Sequence, residues 1–460
     1  MAVAGIICEY NPFHEGHEYM IREVREKTGA DTVVAVMNGD FVQRGAPAVV
    51  DKYTRTHMAL LEGADLVFEL PVRFGISSAQ DFAYGGILAL ESLSFVDFFC
   101  FGNESWLGSE SWLGSENGDV AVLREAGRFF AGSSGDLASF EMEISRLVRS
   151  GMSYPAAREA AFWKAVRQGS WSELLSGGRG VLREGTESLC GKSEGVSDGA
   201  EFLYGDPVAV DMAGRSDLFA PNNLLGMEYI KAAELLHSRM EPVAIRRAGM
   251  GYHERGAGGD GFLSATAIRE NMSDGDFSGI PERARGVFAE YAAAYGCFQD
   301  SEPFWVACSY AIRSHWDELE RFKDVSEEIA GRFRAYLYES VSFADFVARC
   351  KAKHITMTRI CRCVFQVLLG VEKSAERERR LPYIRLLGMR KEAAGCLRRV
   401  GDAGETVVVA RVARDRERLD AEGRRKLEQD IRASDIYRGT VMAASGKRLP
   451  DEYKRRLITI

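Results

Sequence analysis

The sequence predicts an α/β protein: a doubly wound, Rossmann-like parallel sheet followed by a mainly helical C-terminal region. Three observations carry this. Residues 1–102 contain four short apolar runs, 2–8, 32–37, 66–70 and 95–101, with no polar alternation, as strands buried on both faces have. Helical stretches at 17–28, 51–63 and 79–93 lie between them, and strands alternating with helices give right-handed crossovers and a parallel sheet. From residue 280 onward the patterning is mostly helical.

The first run ends at Ile7-Cys8 and leads into Glu9-Tyr10-Asn11-Pro12-Phe13-His14-Glu15-Gly16-His17, with Glu18, Tyr19 and Met20 opening the first helix. In an open α/β sheet this turn lies at the carboxyl edge, where ligands bind. The helix N-terminus offers N–H groups and a positive dipole end to phosphate. Gly16 lets a ligand approach the backbone, and His14 and His17 can each donate a hydrogen bond to a phosphate oxygen. A His-x-x-His pair also suits a metal, or an ordinary turn with no ligand. A metal needs further ligands, but His57, His237, His253, His315 and His354 are scattered and no Cys-x-x-Cys accompanies the pair. Nucleotide binding is therefore the reading, with no protein metal site.

The second run is followed by Asn38-Gly39-Asp40-Phe41-Val42-Gln43-Arg44-Gly45, again at the carboxyl edge and so facing the same crevice. Arg44 suits a phosphate or carboxylate, and Asp40 or Gln43 can orient a polar group; an ordinary βα loop is the alternative. Lys52 and Arg55 open the next helix. After the fourth run, Glu104-Ser105-Trp106-Leu107-Gly108-Ser109 recurs as Glu110-Ser111-Trp112-Leu113-Gly114-Ser115, a local duplication too short for a solenoid. Helices are expected over 120–167, with Leu137, Phe140, Ile144 and Leu147 on one face. Residues 168–216, rich in Gly and Ser, read as an inserted loop. Pro221-Asn222-Asn223 caps a helix to about residue 238. A strand at 242–246 brings Arg246 and Arg247 to its end. Ser264 is a plausible N-cap with Thr266 and Arg269 in the following turn, a weak second phosphate signature. Farther on, 353–359 sets basic residues beside hydroxyls, 382–389 reads as a turn of packed structure, and a strand is expected at 405–410.

The 460 residues suffice for two or three domains, expected at 1–275 and 276–460. A content of 46% hydrophobic and 27% charged residues is that of a soluble globular protein, and no run is long enough to span a membrane. The nine cysteines are dispersed, which fits reduced thiols in the cytoplasm. The net charge of −8 is uneven: residues 341–460 hold 28 Lys+Arg against 16 Asp+Glu, a net of +12, which leaves −20 for residues 1–340. A basic C-terminal third suits a polyanion, although solvated helix faces have the same composition.

With these pieces in order, the chain resembles the bacterial tRNA(Met) cytidine acetate ligases, within the nucleotidylyltransferase superfamily. Residues 9–17 resemble the His-x-Gly-His signature, and Ser264-x-Thr266-x-Ile268-Arg269 resembles the second phosphate-binding motif. Gly39–Gly45, Pro221-Asn222-Asn223 and Gly251-Tyr252-His253 narrow the likeness, which extends over 353–359 and 382–388. It implies that ATP and acetate form acetyl-adenylate, with Mg²⁺ accompanying ATP, and that the acetyl group passes to N4 of the wobble cytidine of elongator tRNA(Met). The implied ATP contacts are residues 7–20, Gly102, Asn222, Asn223, Arg246, Arg247, Ser264, Thr266 and Arg269. His14, His17, Asp40 and Arg44 are the expected catalytic residues; Lys353, Arg359 and Arg385 are the expected tRNA contacts. The family's Phe-Gly-Ser-Glu-Asn-Gly-Asp stretch is here interrupted by the duplicated hexapeptide, so Gly102 or Gly114 can be the ATP-side glycine; Gly102 directly follows the strand. The alternative function is an adenylyltransferase acting on a phosphate-bearing small molecule, which would leave the basic C-terminal third without a purpose.

Overall fold

The computed structural model describes residues 2–103, 123–167 (without 125, 129, 132–136 and 153), 221–246, 262–298 (without 273–274) and 300–460 (without 375 and 402–405). The chain begins β1 (Val3–Cys8), α1 (Glu15–Thr28), β2 (Thr32–Asn38), β3 (Phe41–Val42), β4 (Ala46–Pro47), α2 (Lys52–Leu61), β5 (Leu66–Leu70), α3 (Val72–Gly75), α4 (Ala79–Glu91) and β6 (Phe98–Asn103). Helices α5 (Leu137–Arg149), α6 (Tyr154–Arg167) and α7 (Pro221–Leu235) precede β7 (Glu241–Arg246) and α8 (Ala265–Asn271). Then come α9 (Glu282–Tyr295), α10 (Trp305–Ser314), α11 (Glu327–Tyr336), α12 (Phe343–Cys350) and α13 (Met357–Leu369). The chain closes with β8 (Tyr383–Met389), β9 (Val407–Val409), α14 (Val412–Asp415), α15 (Ala421–Ser445) and β10 (Ile458–Thr459).

The main sheet runs β10-β8-β5-β2-β1-β6-β7, with β9 beside β8. β1 pairs in parallel with β2 and β6, and β2 with β5. Every residue of β2 and β5 is buried, which is why these runs lack polar alternation. From β1 the chain builds outward to β2 and β5 on one side, then to β6 and β7 on the other. The carboxyl end of β1 is therefore a topological switch point, the usual ligand crevice of such sheets.

The chain forms two compact units, Met1–Phe101 with Ala232–Ile460, and Gly102–Lys231. The division differs from the expected one at 275/276. The C-terminal region is mainly helical, but its β8 pairs antiparallel with β5 and carries β9 and β10, so it completes the sheet. Residues 383–389 thus correct the expected turn to a strand: Tyr383, Ile384, Leu386 and Leu387 are buried core, and the charge of Arg385 had broken the apolar run. The 38–45 loop is also pinned to C-terminal helices. Phe41 lies 5.4 Å from Phe365 and 5.7 Å from Phe304. Gly45 has φ +78°, and a Cβ there would sit 2.3 Å from the Arg362 backbone nitrogen, so only glycine fits. In the second unit Phe130 packs on Phe140 and Phe162, and Arg158 lies over its ring while pairing with Glu228 at 2.6 Å.

Candidate active site

The turn between β1 and α1 is built by its histidines. His14 is the N-cap, with extended backbone, and its Nδ1 accepts the Gly16 N–H at 3.1 Å. His17 Nδ1 accepts the His14 N–H at 3.2 Å. Together they close a capping box in which imidazoles replace the usual hydroxyl and carboxylate. A neutral imidazole carries one N–H, so with both Nδ1 atoms accepting, both protons sit on Nε2. The rings stack at 3.7 Å and 28°, which sets two N–H donors side by side. Helix α1 begins at Glu15, earlier than expected, so Gly16 and His17 lie in its first turn, where the Glu15 N–H is taken by the Gly279 carbonyl at 2.9 Å and the His17 N–H by the His14 carbonyl at 2.8 Å. A Cβ at Gly16 would lie 2.9 Å from His14 Cε1. His17 is flanked by Tyr10 at 4.8 Å and Phe13 at 5.5 Å. Tyr10 takes a left-handed φ of 50°, a strained state for an aromatic residue that the packing of the turn holds in place.

Beneath the turn lies a charged frame. Arg55, fully buried at the start of α2, donates to the carbonyls of Glu9 (2.7 Å), Asn38 (3.1 Å) and Gly39, so it ties together the carboxyl ends of β1 and β2. Glu9 Oε1 accepts the Gln43 N–H at 2.7 Å. Burial pushes the Glu9 carboxyl up, opposed by that N–H and by Arg44, Arg269 and Arg55. Arg269 reaches in from α8: Nη1 donates to the Asn11 carbonyl at 2.8 Å and Nη2 to Thr266 Oγ1 at 3.1 Å. Burial lowers its pKa and Glu9 opposes the shift. Ser264 caps α8 by accepting the Ala267 N–H at 3.2 Å. Two imidazole rings, the positive end of helix α1 and two guanidinium groups thus converge on the switch point, an arrangement for binding phosphates and stabilising charge that develops on them.

A profile of the HIGH Nucleotidyl Transferase family matches residues 1–451. A tRNA(Met) cytidine acetate ligase of Caldicellulosiruptor saccharolyticus is 32% identical over 448 residues, covering 95% of this chain and 94% of the relative. The chain belongs to the tRNA(Met) cytidine acetate ligase family of HIGH nucleotidyl transferases. A ligase of the same name from Halothermothrix orenii is 29% identical over 95% of this chain and 94% of its own. The crystal structure of Thermotoga maritima TmcAL bound with alpha-thio ATP shares the fold over 100% of both chains, with a TM-score of 0.79 at 24% identity.

For this HIGH nucleotidyl transferase the structure brings His14, His17, Glu9, Arg44 and Arg269 to one place. Cys8, Tyr10, Asn11, Pro12 and Phe13 are buried and frame the turn; the Asn11 side chain accepts the Val49 N–H at 2.8 Å. Ile7, Glu15, Glu18, Tyr19 and Met20 are half-buried. Two of the expected residues have structural partners. Asp40 is buried, and its carboxylate accepts the Lys52 N–H at 2.8 Å, so it shapes the start of α2. Arg385 is 4% exposed, paired with Glu452 and Glu69 and donating to Tyr53. Lys353 is exposed, and Arg359 is half-buried with Nη2 3.5 Å from the Asp324 carbonyl. Gly102, Asn222 and Asn223 belong to the second compact unit, where Asn223 is fully buried. Arg246 is exposed at the end of β7. Arg247, Gly114, the duplicated hexapeptide, residues 168–216 and 251–253 lie outside the described residues. Sequence reasoning missed the bracing role of Arg55; its only signal was a position one turn into the helix after a carboxyl-edge loop.

Proposed function

We propose that the protein activates acetate with ATP and transfers the acetyl group to N4 of the wobble cytidine of elongator tRNA(Met), in the cytoplasm. The observation that carries this reading is the Arg269–Asn11 hydrogen bond at 2.8 Å, which seats the second phosphate motif on the first. Among the described residues no group of three or more His, Cys, Asp or Glu side chains is placed to hold a metal. Mg²⁺ would be carried by the ATP phosphates, which suits its preference for phosphate and water ligands.

In the first step an acetate oxygen attacks the α-phosphorus and the bond to pyrophosphate breaks, giving acetyl-adenylate. Negative charge spreads over the phosphoryl oxygens, so positioning and fixed donors do most of the work. His14 and His17 donate through Nε2–H, and Arg44 and Arg269 supply positive charge. In the second step N4 attacks the acetyl carbon, the bond to AMP breaks, and N4 gives up a proton. The cytidine must leave its stack to reach the anhydride.

The test is ATP–pyrophosphate exchange with and without acetate. Acetate-dependent exchange supports the reading. Exchange that requires a phosphorylated small molecule instead would establish the adenylyltransferase alternative.

A further inference from the structure

A second charged feature lies on the same sheet edge, apart from the ATP turn. An open groove of about 900 Å³ is lined by eight cations and four carboxylates and by no aliphatic or aromatic side chain. Arg377, Arg379 and Arg380 come from the segment before β8, Arg425 and Arg432 from α15, and Arg73 from α3. Arg379 and Arg380 also line a second cavity of about 550 Å³.

The groove is built rather than incidental. Buried Asp430 ties its walls together by accepting the Val72 N–H at 2.9 Å and the Tyr383 hydroxyl at 2.5 Å. Glu378 holds Arg73 through two bonds, at 2.7 and 2.9 Å, and Lys426 at 3.0 Å. Its carbonyl accepts the Tyr84 hydroxyl at 2.6 Å. Glu378 is thereby neutralised, and Lys426 also pairs with Glu422; the remaining carboxylates, Glu372 and Glu376, are exposed at the rim. Arg379, Arg425 and Arg432 are exposed and make no hydrogen bond or ion pair with any described residue. Arg425 and Arg432 are seven residues apart on one helix face, about 10 Å along the axis, on the order of three nucleotides of a stacked strand.

The lining selects the occupant. A protein partner would need aromatic or aliphatic anchors, and no such side chain lines the groove; the exposed guanidinium groups of Arg379, Arg425 and Arg432 suit phosphodiesters. The groove also lies where a bound strand can reach the ATP turn. Arg73 follows β5, which is two strands from β1 and parallel to it, so their carboxyl ends are about 10 Å apart. Asn38 Nδ2, at the end of β2, donates to the Gly75 carbonyl of α3 at 3.1 Å.

We propose that this groove, formed by Arg377–Arg380 and the Arg425–Arg432 face of α15, is the seat of the RNA phosphate backbone. The inference rests on the tRNA-acetylation reading and moves the RNA contact away from Arg385. The test compares wild type with R379A/R425A/R432A in tRNA binding across a salt series, together with acetate-dependent ATP–pyrophosphate exchange. The expected result is at least tenfold weaker binding and a slope of log affinity against log salt shallower by about two to three, with exchange unchanged. Wild-type affinity and slope in the variant overturn the groove assignment alone. A wild-type protein that neither binds nor acetylates tRNA overturns the functional reading as well. The single variants R425A and R432A, at exposed positions, decide the matter if the triple variant does not fold.

Discussion

His14 has two separable tasks, and replacing it distinguishes them. Its Nδ1 caps α1 by accepting the Gly16 N–H, and its Nε2–H is assigned to a phosphate oxygen. His14→Ala removes both. Loss of the cap costs about 1 kcal/mol of stability, which in a chain of this size moves Tm by only about 1–2 °C. Loss of one positioned donor to a developing phosphoryl charge costs about 100–1000-fold in rate. His14→Ser separates the effects, because serine caps a helix at least as well as histidine but is too short to replace the Nε2–H. The Ser variant should therefore regain wild-type stability, while acetate-dependent ATP–pyrophosphate exchange stays about 100-fold or more below wild type. Exchange restored by serine would refute the reasoning: the histidine would then be a cap only.

Three further outcomes follow from the same geometry. Arg269→Lys keeps the charge but not the two-pronged link to Asn11 and Thr266, so exchange should fall by about 10-fold or more; near-wild-type exchange would mean that the link does not set the site. Arg385→Ala leaves Glu69 and Glu452 buried with less charge to pair with, so denaturant unfolding should show a loss of about 3–5 kcal/mol. The protein that remains folded should bind tRNA as before, and a selective loss of tRNA affinity would contradict this structural placement. Burial pushes the Glu69 carboxyl up to about 7 from an ordinary 4.5, against Lys52 and Arg385. The folded state thus holds that proton more tightly than the unfolded chain, so the group's stabilising contribution is full below 4.5 and is lost as pH rises through about 7. Glu69→Gln should therefore lose less stability than wild type between about pH 5 and pH 8; parallel Tm profiles would contradict this.

How much was legible beforehand depended on whether the physics was local. The runs at 2–8, 32–37 and 66–70 became β1, β2 and β5 because continuous apolar sequence between helices has one good solution in a parallel sheet. The two histidines and Arg269 were legible because capping, turn chemistry and cation placement are written in short stretches. β8 was not, because Arg385 interrupts its apolar run and is neutralised by Glu69 and Glu452, 316 and 67 residues away. The structural role of Asp40 was hidden for a related reason: its partner, the Lys52 N–H, lies twelve residues on. The basic C-terminal third was visible as composition, but which cations are exposed and unpaired depends on tertiary pairing.

The central claim is that one chain joins an ATP-dependent acetate-activating turn to a tRNA acceptor. The most direct measurement is nucleoside analysis of bulk tRNA after incubation with the protein, ATP and isotopically labelled acetate. The account predicts label in N4-acetylcytidine, confined to elongator tRNA(Met) and absent when ATP is withheld or His17 is replaced by alanine. Unlabelled tRNA despite active acetate-dependent exchange, or labelled cytidine formed without ATP, would contradict it.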